Sequence, residues 1–211
     1  MQLAPEEQRE INRLVAETEA RSGAQVLVVI VGKADAYPEI PWKAFSLGSA
    51  FAALVLILDM TQGGVADASP LVSMALPLAA GAALALLAIL LPGLARLFVS
   101  RLRAQAEVRQ YAEAAFLERG VCETRDRSGV LILIARFERM AVVLADSGVR
   151  RHVSEDKLDA AAAQMTPLVR RGRMAAACAA GLGTLTTLVA GALPRSSADE
   201  LPGALFEERG A

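Results

Sequence analysis

Histidine is almost missing from this chain of 211 residues; His152 stands alone. That leaves nearly no imidazole for metal binding or acid–base catalysis. Cysteine is nearly as scarce. Cys122 and Cys178 are too few for a disulfide scaffold or a zinc cage. No surplus of positive charge is present either, since 22 Lys and Arg face 23 Asp and Glu. A net charge of −1 argues against a dedicated nucleic-acid binder. No Walker loop, GxGxxG fingerprint or HExxH pair occurs. The last scarcity is local. Trp42 to Leu58 holds one charge, Lys43, and Leu71 to Leu91 holds none.

With 54% apolar and 21% charged residues, the excess apolar content is concentrated in those runs. This excludes an ordinary soluble globule and a disordered chain. A spanning helix needs about 20 apolar residues to cross roughly 30 Å of hydrocarbon. Leu71–Leu91 meets that length, with Ser69 and Pro70 as its expected cap and first residue and Pro92-Gly93 after it. Trp42–Leu58 reaches the lower limit, with Lys43 able to snorkel and Trp42 suited to the interface. Asp59 to Ser69 reads as a polar turn between two spans. The first apolar run begins near residue 42, behind an acidic amphipathic segment, so a cleaved signal peptide is not expected. Lys33 and Lys43 precede the first span, and Arg96, Arg101, Arg103 and Arg109 follow the second. The turn carries Asp59 and Asp67 and no basic residue. The positive-inside rule therefore places both termini in the cytoplasm of a plasma (inner) membrane protein. A third uncharged run, Met174–Leu193, is rich in Ala, Gly and Thr and reads as a helix packed on a soluble domain rather than a third span.

Outside the hairpin, Pro5–Ser22 has helical spacing at Ile11, Leu14, Val15 and Thr18, with Gly23 as its C-cap. Gln25–Val31 is a β-branched run suited to a central strand buried on both faces. A helix is expected to run on to about Arg119. Gly129–Ala135 and Met140–Ala145 read as a strand hairpin, and Ser154 opens a helix to about Arg171. The expectation is a small α/β domain of three layers, helix–sheet–helix, with three strands and a transmembrane hairpin inserted after the first strand. The two parts of that domain are 1–41 and 92–194, the hairpin is 42–91, and 195–211 reads as a flexible tail. An even number of crossings returns the chain to one side, which a shared sheet requires.

The run Phe116–Gly148 resembles the TPM domain family, which takes in thylakoid acid-phosphatase-like proteins, photosystem assembly factors and receptor-modulating membrane proteins. The matching residues are Thr124-Arg125-Asp126-Arg127-Ser128-Gly129-Val130-Leu131-Ile132, Glu138-Arg139 and Ala145-Asp146-Ser147-Gly148. Glu19, Ser22, Gly23, Ala24–Val31 and Leu193-Pro194 are similar too. The resemblance implies an α/β/α domain, divalent-metal binding, and the phosphatase activity proposed for plant members. Two departures stand out: many relatives carry a signal peptide and act outside the cytoplasm, and here a hairpin splits the domain.

Asp126 precedes one strand and Asp146 ends its hairpin partner, so both are expected at one edge of the sheet. There they can share a hard cation such as Ca²⁺ or Mg²⁺, with Arg125 and Arg127 on phosphate oxygens. The alternative is that both aspartates are turn residues bonded to local amides, since Asp-rich turns need no catalytic reason. Ser128 and Ser147 sit beside glycines and read as turn formers, and Cys178 as a buried helical residue. No catalytic residue is assigned, and no organic cofactor is expected. The leading functional reading is a non-enzymatic accessory factor bound to the lipid bilayer and a membrane-protein partner, without nucleic acid. The alternative is a divalent-metal-dependent phosphatase. A reporter fused after Gln62 should land on the opposite side of the membrane from one fused after Ala211; both on one side would mean one span or three.

Overall fold

The computed structural model describes residues 3–62, 70–191, 193, 201 and 203–210. Asp67, the expected cap Ser69, and Pro194 with residues 195–200 of the expected tail lie outside them. The chain divides into two units, Met1–Asp35 with Ala104–Ala211, and Ala36–Arg103.

The first unit opens with helix α1, Pro5–Ser22, closed by Gly23, and strand β1, Gln25–Lys33. The second unit contains α2, Glu39–Thr61, α3, Pro70–Leu90, and a short α4, Pro92–Ala95. Helix α5, Arg101–Glu118, leads back to the first unit. There follow β2, Gly129–Ala135, β3, Met140–Ala145, a single turn α6, Ser147–Arg150, α7, Glu155–Arg170, α8, Met174–Val189, and β4, Leu205–Gly210. The sheet order is β3-β2-β1-β4. β1 runs parallel to β2 and to β4, and β2 runs antiparallel to β3.

Side chains alternate across a strand, so a strand covered on both faces must be apolar at every position. β1 obeys this. Val26, Val28 and Ile30 pack with Ile11 and Val15 of α1, Leu158 and Met165 of α7, and Leu182 and Leu185 of α8. Leu27, Val29 and Val31 pack on the other face with Val108, Ala112 and Ala115 of α5. The α/β class and the position of the helical pair after β1 agree with the sequence. α8 is buried along the side of Met174, Cys178, Leu182 and Val189, which accounts for its apolar composition without a membrane.

Two expectations are corrected. The sheet has four strands rather than three, and the fourth comes from the stretch read as a loose tail. Leu205-Phe206-Glu207-Glu208 is too short and too charged to read as a strand alone; pairing decides it. Val28 N–H donates to the Ala204 carbonyl at 2.9 Å, and Ile30 lies opposite Glu207. Adjacent glutamates point to opposite faces. Glu207 accepts from the Leu3 amide at 2.9 Å and from Gln8 Nε2 at 2.8 Å, with Arg136 Nη2 at 3.5 Å. Glu208 accepts from the Tyr111 hydroxyl and pairs with Arg119, whose guanidinium stacks 4.2 Å from the Phe206 ring. Burial pushes the Tyr111 phenol up, against the smaller effect of Arg119, so the phenol keeps the proton it donates.

The second unit is built differently. α2 and α3 lie side by side, and their contact is made by small residues. Gly48 meets the Ala80 carbonyl, and a Cβ there would sit 2.9 Å from it. A Cβ on Gly81 would sit 2.7 Å from the Phe45 carbonyl. Ala44, Gly48, Gly81 and Ala88 are buried in consequence. The large side chains turn outward: Phe51 is 67% exposed and Leu71 78%. Both helices are long and apolar enough to cross a membrane. They extend a few residues past the apolar runs at Glu39 and Thr61, because polar ends suit a helix equally well.

Glu207→Ala should remove the half-buried hydrogen bonds from Leu3, Gln8 and Arg136 that tie the start of the chain, α1 and the β2–β3 turn to β4. Charged hydrogen bonds contribute about 1.5–3 kcal/mol each when a partner is left bare. A fall in the melting temperature of the first unit, read by circular dichroism, is expected; an unchanged melt would show that β4 is not docked this way.

Candidate functional site

The residues singled out in the sequence lie where the loop before β2 meets the end of β3. Gly120 closes α5, and Val121–Glu123 form one 3₁₀ turn. Arg127 N–H then donates to the Thr124 carbonyl at 3.0 Å, closing a second turn with Arg127 at φ 54°. Arg127 Nη1 donates to the Cys122 carbonyl at 2.8 Å, which fastens the loop to itself. The Ser128 carbonyl accepts from Gln25 N–H at 3.1 Å and carries the loop into the sheet beside β1.

Asp146 N–H donates to the Gly129 carbonyl at 2.9 Å, the last rung of the β2–β3 ladder. Its carboxylate then caps α6, with Oδ1 accepting from Ser147 N–H at 2.5 Å. Such a cap satisfies an amide that the helix start leaves without a partner. Gly148 N–H donates to the Arg127 carbonyl at 3.0 Å. A Cβ on Gly148 would lie 2.4 Å from the Asp126 carbonyl oxygen and 2.6 Å from that of Arg127. The two loops therefore touch through backbone, and only glycine fits between them.

This brings the backbone of Asp126 beside the Asp146–Gly148 elbow. The side chains differ. Asp146 is 7% exposed, while Asp126, Arg125 and Arg127 are exposed. Arg127 Nη1 stands 3.7 Å from Asp146 Oδ2, and Oδ2 is buried without a hydrogen bond. Thr124 Oγ1, on the same loop, is likewise buried without one. These are hard oxygen donors of the kind a divalent cation takes. A cation on Oδ2 would have to displace the Arg127 guanidinium. Among the described residues no group of three or more His, Cys, Asp and Glu is placed to hold a metal ion.

The remaining nucleophiles are placed without a base. Ser128 is buried, Ser147 and His152 are exposed, and among the described residues no hydrogen bond joins Ser147 to His152. Cys178 is buried, and loss of hydration pushes its thiol up to about 12, far from a reactive thiolate.

Sequence reasoning missed a groove of about 340 Å³ along the outer edge of β3. Leu144 lines it with Phe116 and Leu117 of α5 and Leu158 of α7. Arg109 and Glu155 close it with an ion pair at 2.5 Å. That hydrogen bond holds Glu155 below the usual carboxylate range and Arg109 above its own. Arg109 and Glu155 lie 46 positions apart, so no local spacing could have paired them.

Residues 94–188 match the TPM domain family. The chain is also similar in fold to the NMR structure of BA42 protein from the psychrophilic bacterium Bizionia argentinensis. The TM-score is 0.57 over 98% of this chain and 96% of that one, at 14% identity. At that identity the likeness is one of fold. No curated protein matches the chain.

Gly148→Ala should destabilise the first unit by about 1–3 kcal/mol, because the methyl group meets two carbonyl oxygens that are held in hydrogen-bonded turns. Thermal melts of this variant beside Ser147→Ala, whose side chain is exposed, check this; equal melts would mean the two loops do not touch.

Proposed function

We propose that this chain is a membrane-anchored, TPM-like accessory module. In this reading α2 and α3 cross the bilayer, both termini lie in the cytoplasm, and the α/β unit binds a membrane-protein partner without turning over a substrate. The observation that carries the anchor is exposure. Among the described residues, every exposed large apolar side chain except Leu117 falls between Trp42 and Leu102. Each such side chain moved out of water contributes about 1.5–3 kcal/mol. A row of them on two helices exceeds by far the few hundred Å² of apolar patch that monomers leave exposed. Glycine contacts between α2 and α3 support the same reading, since close backbone approach replaces the hydrophobic effect inside lipid. The one-sided distribution of Lys and Arg supports the orientation.

The non-enzymatic part rests on how Asp146 is used. One carboxylate oxygen caps α6 and the other faces Arg127, so the group has a structural task. The second reading, a metal-dependent phosphatase, draws on the buried Oδ2 that lacks a hydrogen bond. There Asp146 and Asp126 would hold Ca²⁺ or Mg²⁺, which when bound would polarise a phosphoryl oxygen. Arg125 and Arg127 would hold the remaining phosphate oxygens.

The full chain should stay in the pellet on alkaline extraction of membranes. Phosphatase turnover with added Ca²⁺ or Mg²⁺ should be at background in the wild type and in the Asp126→Asn/Asp146→Asn variant alike. Turnover in the wild type that disappears in that variant would install the second reading instead.

A further inference from the structure

We propose that the end of the second unit where α2 begins and α3 runs out is a binding surface for anionic phospholipid headgroups. This rests on the membrane reading above and adds to it a chemical preference among lipids. The two chain segments meet there through their side chains. Lys43 Nζ donates to the Phe98 carbonyl at 3.1 Å, and Arg103 Nε lies 3.0 Å from Glu39 Oε1. Lys43 Nζ is 4.0 Å from the same carboxylate oxygen. Arg96 and Arg101 belong to the same stretch of chain. Residues 36–58 and 91–103 together carry four cations, Lys43, Arg96, Arg101 and Arg103, and one carboxylate, Glu39.

Large apolar side chains alternate with these cations. Trp42 is 72% exposed, Leu97 78% and Leu102 80%. Leu47 of α2 and Leu90 of α3, which are also exposed, stand close to them along the chain. The backbone suits an interface as well: α4 is one turn, Arg96–Phe98 is a single 3₁₀ turn, and Val99 is extended. Tryptophan and leucine beside arginine and lysine is the composition of the boundary between hydrocarbon and headgroups. An acidic protein segment would match the charge and leave the apolar side chains uncovered; a phospholipid satisfies both with its phosphate and its acyl chains.

The test uses the full chain purified in a neutral detergent and titrated with phosphatidylglycerol or phosphatidylcholine, with bound lipid counted by native mass spectrometry. The wild type should prefer phosphatidylglycerol at least tenfold, and excess inorganic phosphate should leave it bound. Basic side chains near a charged membrane contribute on the order of fivefold each. Arg96→Gln/Arg101→Gln/Arg103→Gln should therefore abolish the preference, and the corresponding triple Lys variant should keep it. No preference in the wild type, full preference in the Gln variant, loss in the Lys variant, or displacement by inorganic phosphate would each overturn the proposal. Release of the wild type by alkaline extraction would instead show that the membrane reading itself had failed.

Discussion

The backbone of β1 cannot be left without partners. Gln25–Val31 is buried on both faces, and a buried amide or carbonyl without a hydrogen bond costs about as much as several good contacts contribute. Both long edges of the strand must therefore be paired. β2 supplies one edge from beyond the inserted helices, and β4 supplies the other from the end of the chain. The rest of the first unit follows. α1, α7 and α8 cover one set of alternating side chains, and α5 covers the other. A strand with six consecutive apolar residues, Val26–Val31, thus couples segments almost two hundred positions apart.

The second unit answers the opposite constraint. Most of its buried helix positions are glycine or alanine, and its exposed large side chains are chiefly leucine, with isoleucine and phenylalanine. Packing of this kind puts large side chains where the solvent is and small ones where the protein is. In water that arrangement is unfavourable; in hydrocarbon it is the stable one. The difference between β1 and α2 is thus one of surroundings rather than of hydropathy. Both are apolar, but one is closed in by protein and the other is left open.

At the junction of the β2 loop with β3, polar chemistry serves geometry first. Asp146 ends a strand, starts a helix and faces Arg127, and Gly148 lets two backbones approach to contact. The same arrangement leaves one carboxylate oxygen and the Thr124 hydroxyl buried without hydrogen bonds. Polar atoms in that condition are rare in proteins.

Much of this was legible in the sequence because it is local. The limits of α1 follow from Pro5 and Gly23, those of β2 and β3 from uninterrupted apolar runs, and the helical pair from the missing charges of residues 42–58 and 71–91. That the loop carrying Asp126 would lie beside the end of β3 was legible because a short hairpin joins the two strands. What the sequence could not show depends on distant pairing. Leu205–Gly210 has no hydropathy pattern of its own and becomes a strand only because β1 offers it an edge. The Arg109–Glu155 pair and the groove under it exist because α5 and α7 lie on opposite sides of β3. Periodicity and capping are written within a few residues of each other, whereas an edge, a groove or an ion pair between helices is decided by which surfaces the whole chain brings together.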